Sequence, residues 1–267
     1  MGETMQIRRC EENGVVYITY QNIEKTGIVT HGFSTRVGGI SEDYLGSMNL
    51  SYTRGDKKEN VDENFIRMGT AIGFDPKNLV FTDQTHTTNV LIADRKSQAH
   101  DFDGLITNEK DLVLTASFAD CVPLFFVDPV KKVIGLSHSG WKGTVQKMGA
   151  VTIQKMKEVY GCSPLDIHVA IGPSICVQCY EVSKDVAEAF KEKFTKEQIE
   201  QILFPGNKEG KYQLDLWKAN ELICLEAGII REHLELPEIC TCCNKEFLYS
   251  HRGSNGNRGN LGAFLSL

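Results

Sequence analysis

Apolar and polar positions alternate along this chain in short runs that predict many β-strands. Residues 123–129 and 132–140 are rich in Val, Ile, Leu and Phe and are bounded by turn residues, which is typical of strands. The DPVKK segment where they meet predicts a tight hairpin connection. Further strand patterns occupy residues 15–22, 78–84, 88–94, 103–108, 112–120 and 166–175.

Helical periodicity distinguishes a second class of segments. In residues 59–74 the apolar side chains recur at helical spacing, and Gly73 suits the end of a helix. Residues 143–161 predict one long amphipathic helix that ends at Gly161. Three more helical segments are predicted at 182–194, 196–204 and 214–229.

The C-terminal region and the order of the elements indicate the fold class. Residues 246–250 predict a strand, a loop rich in Gly and Asn follows, and the chain closes with a further strand. Strand patterns dominate the centre, and no linker rich in Pro or Ser divides the chain. We therefore predict a single compact α+β domain over residues 1–267, with mixed β-sheets and helices packed outside.

Composition and charge narrow the range of partners. The chain has a net charge of −6, so a broad basic surface for nucleic acid is not expected. It lacks a run of about 18 apolar residues, and its N-terminal segment lacks the apolar core of a secretory signal. Nine Cys, an odd number, favour reduced thiols over disulfides. We expect a cytoplasmic protein that contacts neither nucleic acid nor membrane, as a monomer or a weak homo-oligomer.

Three residues combine metal-ligating side chains with a position at the end of an apolar run. His86 follows one strand pattern, Cys121 opens the next apolar run and His138 closes a third. Strand ends of one sheet converge, so two imidazoles and a thiolate can meet and leave a fourth coordination position open, as in catalytic Zn²⁺ sites. Cu²⁺ is also compatible with these donors. The alternatives are a cysteine that packs in the core and two histidines with ordinary hydrogen bonds.

A second group of cysteines lies outside this set. Cys176 and Cys179 form a CxxC motif, and Cys240, Cys242 and Cys243 are crowded together in the sequence. Cys240 and Cys242 could complete a four-thiolate zinc site with the CxxC pair. The sequence favours buried, unligated thiols instead, because the three crowded cysteines show no complete structural zinc motif.

Seven long motifs occur in order along the chain: HGFSTRVGG, DQTHTTNV, DGLIT, ADCVPLFFVD, LSHSGWKGT, AIGPSICVQCYEV and YSHRGSNGNRGNLGAF. With them the chain resembles the laccase-domain, or polyphenol-oxidase-like, family of bacterial purine nucleoside phosphorylases nearly from end to end. The resemblance implies that His86, Cys121 and His138 hold the metal and form the catalytic centre. The chain departs from the family pattern in having Thr87 for Gly, and in Lys142 and Gly253 where the family usually has Arg.

The resemblance also implies a set of reactions. Similar proteins cleave adenosine, inosine and 5′-methylthioadenosine with phosphate, and deaminate adenosine to inosine. Zn²⁺ is the implied cofactor, whereas the older family name implies copper and phenol oxidation. Small-molecule purine nucleosides and phosphate are therefore the expected partners.

Phosphate binding and proton handling require further residues. Arg36 stands beside a Gly pair that lets the backbone approach an anion, and Arg252 and Arg258 flank a loop near the C-terminus. We predict all three as phosphate contacts, the alternative being solvated turn residues. Asp120, next to Cys121, either orients a ligand or proton in the site or caps a turn.

Three other functions compete with phosphorolysis. One is a copper polyphenol oxidase, although the seven His are too few for a full multicopper oxidase. Another is a Cys-His hydrolase with Cys121 as nucleophile and His138 as base, which leaves His86 without a role. The last is a binding protein in which the metal has only a structural role.

Overall fold

The chain folds into fifteen strands and seven α-helices over residues 7–97 and 100–267, the part that this computed structural model describes. Residues 1–6 lie outside the described residues. They begin the N-terminal segment in which the sequence predicts no secretory signal. The strands are β1 (Ile7–Glu12), β2 (Val15–Tyr20), β3 (Thr30–Ser34), β4 (Leu79–Phe81), β5 (Val90–Ile92), β6 (Gly104–Thr107), β7 (Val113–Phe118), β8 (Val122–Asp128), β9 (Val133–Ser139), β10 (His168–Ile171), β11 (Glu181–Ser183), β12 (Leu203–Pro205), β13 (Lys211–Leu214), β14 (Leu234–Glu235) and β15 (Leu261–Ser266). The helices are α1 (Gln21–Glu24), α2 (Lys58–Ile72), α3 (Trp141–Val145), α4 (Met148–Tyr160), α5 (Lys184–Lys193), α6 (Lys196–Ile202) and α7 (Leu216–Glu226).

Two six-stranded mixed sheets form the centre of the described structure. The first has the order β1-β2-β3-β15-β7-β4, and the second has the order β14-β10-β8-β9-β6-β5. Most neighbours are antiparallel, whereas β4–β7, β5–β6 and β10–β14 are parallel. A small antiparallel sheet, β11-β13-β12, completes the strands. The predicted α+β class with mixed sheets is confirmed.

The alternation of side chains along single strands explains the layers. Phe125 of β8 packs in a core between the two large sheets, together with Phe118 of β7, whereas Leu124 and Phe126 point to the opposite face. That opposite face is covered by α4 and α7, which contribute residues such as Met156. A strand buried on both faces has no polar side, which is why 122–127 is continuously apolar.

The outer face of the first sheet is covered by α2. Phe65 and Met68 of this helix pack against Phe264 of β15. The helix ends where the sequence predicts, because Gly73 adopts a positive φ of 98° and its N–H closes the last turn on Gly69. Helices therefore pack on the outer faces of the two large sheets, as the sequence predicts.

The prediction of one continuous helix over 143–161 is wrong. The segment forms α3 and α4, which are separated at Lys147, a residue with a left-handed φ of 61°. Asn220 of α7 donates a side-chain hydrogen bond to the Thr144 hydroxyl of α3 at 3.2 Å. Both α3 and α4 contact α7 and β9, and the left-handed backbone at Lys147 breaks the regular helical geometry between them.

The predicted strand at 246–250 is also wrong, whereas the terminal strand is confirmed as β15. The N–H groups of Phe247 and Leu248 both bond to the carbonyl of Asn244 at 2.8 Å, so the segment is a chain of turns. Leu248 and Tyr249 are buried and Phe247 is half-buried, and none of the three lies in a strand. No helix among the described residues combines the length and apolar character needed to cross a bilayer.

Candidate metal centre

Cys121 lies where the chain passes from one sheet to the other. Strand β7 belongs to the first sheet and β8 to the second, and residues 119–121 connect them. Asp120 takes a left-handed φ of 87° in this connection, and its carbonyl accepts a hydrogen bond from the N–H of Ile175 at 3.0 Å. The sharp turn therefore presents the Cys121 thiol at the junction of the two sheets, half-buried.

Two histidines approach this thiol from neighbouring elements. His138 lies in β9, which pairs with β8, and His86 lies in the loop between β4 and β5 with a φ of 63°. The ring centroids of the two histidines are 4.9 Å apart. One ligand atom from each of His86, Cys121 and His138 lies within 4.8 Å of the other two. The structure thus brings together the three residues that the sequence proposes as metal ligands.

Asp103 orients the histidines. The pairing of Gly104 with Ser137 in β6 and β9 sets Asp103 beside His138, and its carboxylate meets His138 Nδ1 at 2.7 Å. The same carboxylate accepts hydrogen bonds from the N–H groups of His86 and Thr87 at 3.2 and 2.7 Å. A carboxylate on one ring nitrogen leaves Nε2 free for a metal, the usual support of a histidine ligand.

The two histidines differ in their electrostatic surroundings. Burial opposes a charge on His138, but the Cys121 thiolate and the Asp103 carboxylate outweigh it and raise the pKa of His138 to about 9. Burial and the charge on His138 lower the pKa of His86. In the metal-free centre His138 therefore keeps its proton at neutral pH. Metal binding must displace this proton, so metal affinity falls as the pH is lowered.

Gly140 leaves the space that an ion needs. A Cβ atom at this position would lie 2.7 Å from His86 Nδ1 and 3.1 Å from Cys121 Sγ. The backbone of Gly140 has an ordinary φ of −69°, so space and not conformation requires glycine here. The donor set and this cradle fit Zn²⁺, which favours nitrogen and sulfur ligands at about 2.0–2.3 Å.

A cavity of about 420 Å³ opens beside the three ligands. Tyr52 and Phe81 line it and are 50% and 38% exposed, which leaves their rings available to a ligand. Four buried polar atoms on its wall have no hydrogen-bond partner among the described residues: Arg54 Nε, Thr82 Oγ1, Arg258 Nε and Asn260 Oδ1. Unpaired buried polar atoms are rare and costly, so their concentration in one wall indicates a polar ligand.

Two guanidinium groups give this wall a positive charge. Arg54 and Arg258 both line the cavity, and within the described ranges neither forms a salt bridge with a carboxylate. Burial and the nearby charge of Arg54 lower the pKa of Arg258 to about 10. Two cations that repel each other in a half-buried wall suit an anion that would bridge them.

The other sequence-predicted site residues lie outside this cavity lining. Arg36 donates to the carbonyls of Gly46 and Lys245 at 2.6–2.8 Å. Arg252 donates to the carbonyl of Glu181 at 3.0 Å and stacks on Tyr180.

Asp120 forms a tether between loops. Its carboxylate accepts hydrogen bonds from the Thr241 hydroxyl at 2.6 Å and from the Arg252 N–H at 2.7 Å. Asp120 joins two loops next to Cys121 and does not face the cavity.

Sequence reasoning missed two residues of the site. Asp103 carries the same signal as the ligands, a polar residue at the end of an apolar run, and that signal could have identified it. Arg54 lies in a loop between unrelated polar residues and has no comparable signal.

Replacing Asp103 with asparagine is expected to lower metal affinity about 10- to 100-fold, the usual cost of losing a partner of a histidine ligand. Asparagine keeps the size of the side chain but loses the charge that holds the His138 ring. Competition with a chromophoric chelator measures the affinity. Asp101→Asn, at an exposed position two residues before Asp103, is the control, and an unchanged affinity in Asp103→Asn would contradict the assigned role.

The facing sheets bring together two histidines and one cysteine that could hold a metal ion, beside a cavity lined by two arginines. The chain belongs to the family described as multi-copper polyphenol oxidoreductase laccase, whose model matches residues 30–267. The family predicted from the sequence motifs is thereby confirmed.

Similar proteins carry a more specific name. The purine nucleoside phosphorylase YlmD of Bacillus subtilis is 36% identical over 251 residues, covering 90% of this chain and 88% of that protein. A purine nucleoside phosphorylase of Bacteroides thetaiotaomicron is 33% identical over 243 residues, covering 87% of this chain and 89% of that protein. The crystal structure of YlmD from Geobacillus stearothermophilus matches with a TM-score of 0.89 at 29% identity, covering 99% of both chains.

The positions of the histidines indicate whether the copper of the family description suits this chain. His31 accepts a hydrogen bond from the N–H of Tyr20 at 2.9 Å, and His168 stacks on His233 with centroids 3.8 Å apart. Within the described residues, only His86 and His138 belong to a group of possible metal ligands. The trinuclear copper cluster of a full multicopper oxidase requires more imidazoles than this centre offers.

Proposed function

We propose that this chain is a zinc-dependent purine nucleoside phosphorylase of the reducing cytoplasm. Its substrates are adenosine, inosine and 5′-methylthioadenosine with phosphate, and its products are the free base and the corresponding ribose 1-phosphate. Deamination of adenosine to inosine is a second reaction of the same site. The names of the similar proteins support the phosphorylase class, and nine free thiols support a reducing compartment.

One observation carries the proposal: the candidate metal ligands line the same cavity as two arginines that form no salt bridge with any described carboxylate. A phosphorolysis site needs an anion pocket and a group that stabilises a leaving base, with the nucleoside between them. A volume of about 420 Å³ is in the range of small-ligand sites. Tyr52 and Phe81 at its mouth suit stacking on a purine.

The reaction defines the tasks of these residues. The bond between ribose C1′ and purine N9 breaks, a phosphate oxygen bonds to C1′, and the purine leaves with the electron pair and gains a proton. Arg54 and Arg258 hold the phosphate and orient one oxygen towards C1′, which lowers the entropic cost of the encounter. Zn²⁺ held by His86, Cys121 and His138 would supply Lewis acidity for charge developing on the leaving purine.

The donor chemistry supports zinc over copper. Two imidazoles and one thiolate with an open fourth position correspond to a catalytic zinc arrangement. Copper binds such donors with higher raw affinity, so copper found in a purified sample does not establish its role. Activity of samples loaded with each metal separates the two.

Product analysis by liquid chromatography tests the function directly. Zinc-loaded protein is incubated with adenosine in the presence and absence of phosphate. Adenine formed only with phosphate is the expected result, and inosine in either sample reports deamination. Adenosine that remains intact in both samples would overturn the proposal, and conversion of a phenol by the copper-loaded protein would favour the oxidase instead.

Replacing Arg258 with alanine is expected to raise the KM for phosphate about 10- to 100-fold, because a charge-assisted hydrogen bond is worth about 1.5–3 kcal/mol. The KM for adenosine should change much less. Steady-state kinetics over a range of phosphate concentrations measures both. Arg95→Ala, at an exposed loop position, is the control, and equal phosphate KM values in both variants would remove Arg258 from the anion site.

One observation favours a second candidate function. Asp103, His138 and Cys121 are arranged in the order of a Cys-His-Asp hydrolase triad. An alkylating reagent distinguishes this function from the first. A nucleophilic thiol reacts in the zinc-loaded protein, whereas a zinc-bound thiolate is protected until a chelator removes the ion.

A further inference from the structure

A second group of sulfur atoms lies away from the metal centre described above. Cys176 and Cys179 form one CxxC segment, and Cys240 and Cys243 form another. The four Sγ atoms all lie within 4.8 Å of one another. The sequence suggests Cys242 as the fourth member and favours unligated thiols, but the structure turns the Cys243 side chain into the group instead.

The spacing of these atoms suits a tetrahedral ion. With Zn–S bonds of about 2.3 Å, the corners of a regular tetrahedron are about 3.8 Å apart. The Sγ atom of Cys243 lies 3.9 Å from that of Cys176 and 3.4 Å from that of Cys179. Both separations are much longer than the roughly 2.05 Å of a disulfide. The sulfurs converge on one point without bonding in pairs.

Backbone donors point to a thiolate in this group. The N–H groups of Cys176 and Cys243 approach Cys240 Sγ at 3.2 and 3.4 Å. Hydrogen bonds of this kind favour the ionised form of a side chain. Both donors belong to cysteines of the group itself, so the backbone of the two CxxC segments closes around the Cys240 sulfur.

The group is mostly buried, and its four sulfur atoms can fill the four positions of a tetrahedral ion. Cys176 and Cys240 are buried against the core that covers the second sheet, Cys179 is half-buried and only Cys243 is exposed. All four donors are sulfur, which selects a soft or borderline ion such as Zn²⁺ over Mg²⁺ or Ca²⁺. Four protein ligands leave no position for a substrate.

We propose that Cys176, Cys179, Cys240 and Cys243 bind a structural Zn²⁺ ion, separate from the His86, Cys121 and His138 centre. The ion ties together two chain segments that are distant in sequence. The proposal does not depend on the function assigned to the cavity.

The bound ion would brace the backbone next to Cys121. Ile175, which precedes Cys176, donates its N–H to the Asp120 carbonyl at 3.0 Å. Thr241, which follows Cys240, donates its hydroxyl to the Asp120 carboxylate at 2.6 Å. Both CxxC segments therefore hold Asp120, the residue whose left-handed turn presents the Cys121 thiol.

Metal stoichiometry tests the proposal. Untagged protein is purified under reducing conditions with zinc supplied, and metals are measured by mass spectrometry. Cys121→Ser disables the first centre, so this variant is expected to retain about one zinc per chain. Adding Cys243→Ser should remove that ion, whereas adding Cys242→Ser, the adjacent cysteine outside the group, should leave it in place.

A second measurement does not depend on the folding of the double variants. X-ray absorption on Cys121→Ser should show zinc with four sulfur neighbours at about 2.3 Å. Absence of zinc from this variant, nitrogen or oxygen ligands, or a disulfide within the group would each overturn the proposal. Iron in place of zinc would retain the site and overturn the assigned ion.

Discussion

Replacing Cys121 with serine is expected to lower the rate of phosphorolysis about a thousandfold, because a bound metal contributes several kcal/mol of transition-state stabilisation. Serine has nearly the size of cysteine, but its hydroxyl group stays protonated at neutral pH and is a poor zinc ligand. The thiol is half-buried at the junction of the two sheets, so the hydroxyl does not disturb a closed core.

The metal content and the rate are measured on the same sample. Cys121→Ser should lose one zinc per chain together with its activity, and its circular dichroism should match that of the unchanged protein. Cys10→Ser, at a half-buried position in β1, is the matched control for a thiol substitution. A variant that keeps both the zinc and the rate would remove Cys121 from the centre. A variant that keeps the metal and loses the rate would instead favour the nucleophile hypothesis.

Replacing Gly140 with alanine is expected to lower metal affinity about 5- to 150-fold, since forcing a methyl group into a filled site costs about 1–3 kcal/mol. The added Cβ would lie 2.7 Å from His86 Nδ1 and 3.1 Å from Cys121 Sγ. Both atoms belong to side chains of the proposed ligand set, so relieving the clash moves these side chains apart. The change acts on the metal site without removing any ligand.

Gly143→Ala provides the matched control for this substitution. Its added Cβ would lie 3.5 Å or more from its neighbours, an ordinary contact, and alanine favours the helix α3 in which it lies. Chelator competition on both variants measures the zinc affinity. Equal affinities would show that the centre tolerates a side chain at 140 and would contradict the proposed cradle.

Much of the architecture was predictable because burial leaves its pattern in the sequence. Strand β8 is apolar on both faces, since one face packs between the sheets and the other against helices, and this produced a clear signal. Failures occurred where local conformation overrode the pattern. Lys147 interrupts a regular helical periodicity, and the apolar residues 247–249 are buried or half-buried outside any sheet.

The direction of each side chain determines which of the predicted arginines reach the cavity. Arg36 and Arg258 are both arginines in loops rich in Gly, so the sequence does not distinguish them. The guanidinium of Arg36 binds backbone carbonyls, whereas Arg258 Nε, in the cavity wall, has no hydrogen-bond partner in the described part of the chain. Which carbonyls come within reach depends on how distant loops close, and sequence neighbours carry no record of that closure.

The sequence by itself determined the fold class, most of the elements and three candidate ligands at strand ends, because hydrophobic periodicity and residue chemistry are local properties. Only the tertiary structure decided that Asp103 supports His138, that Arg54 joins Arg258, and that Cys243 rather than Cys242 completes the sulfur group. These outcomes depend on strand register and turn geometry, which bring together atoms from distant parts of the chain to within a few ångströms.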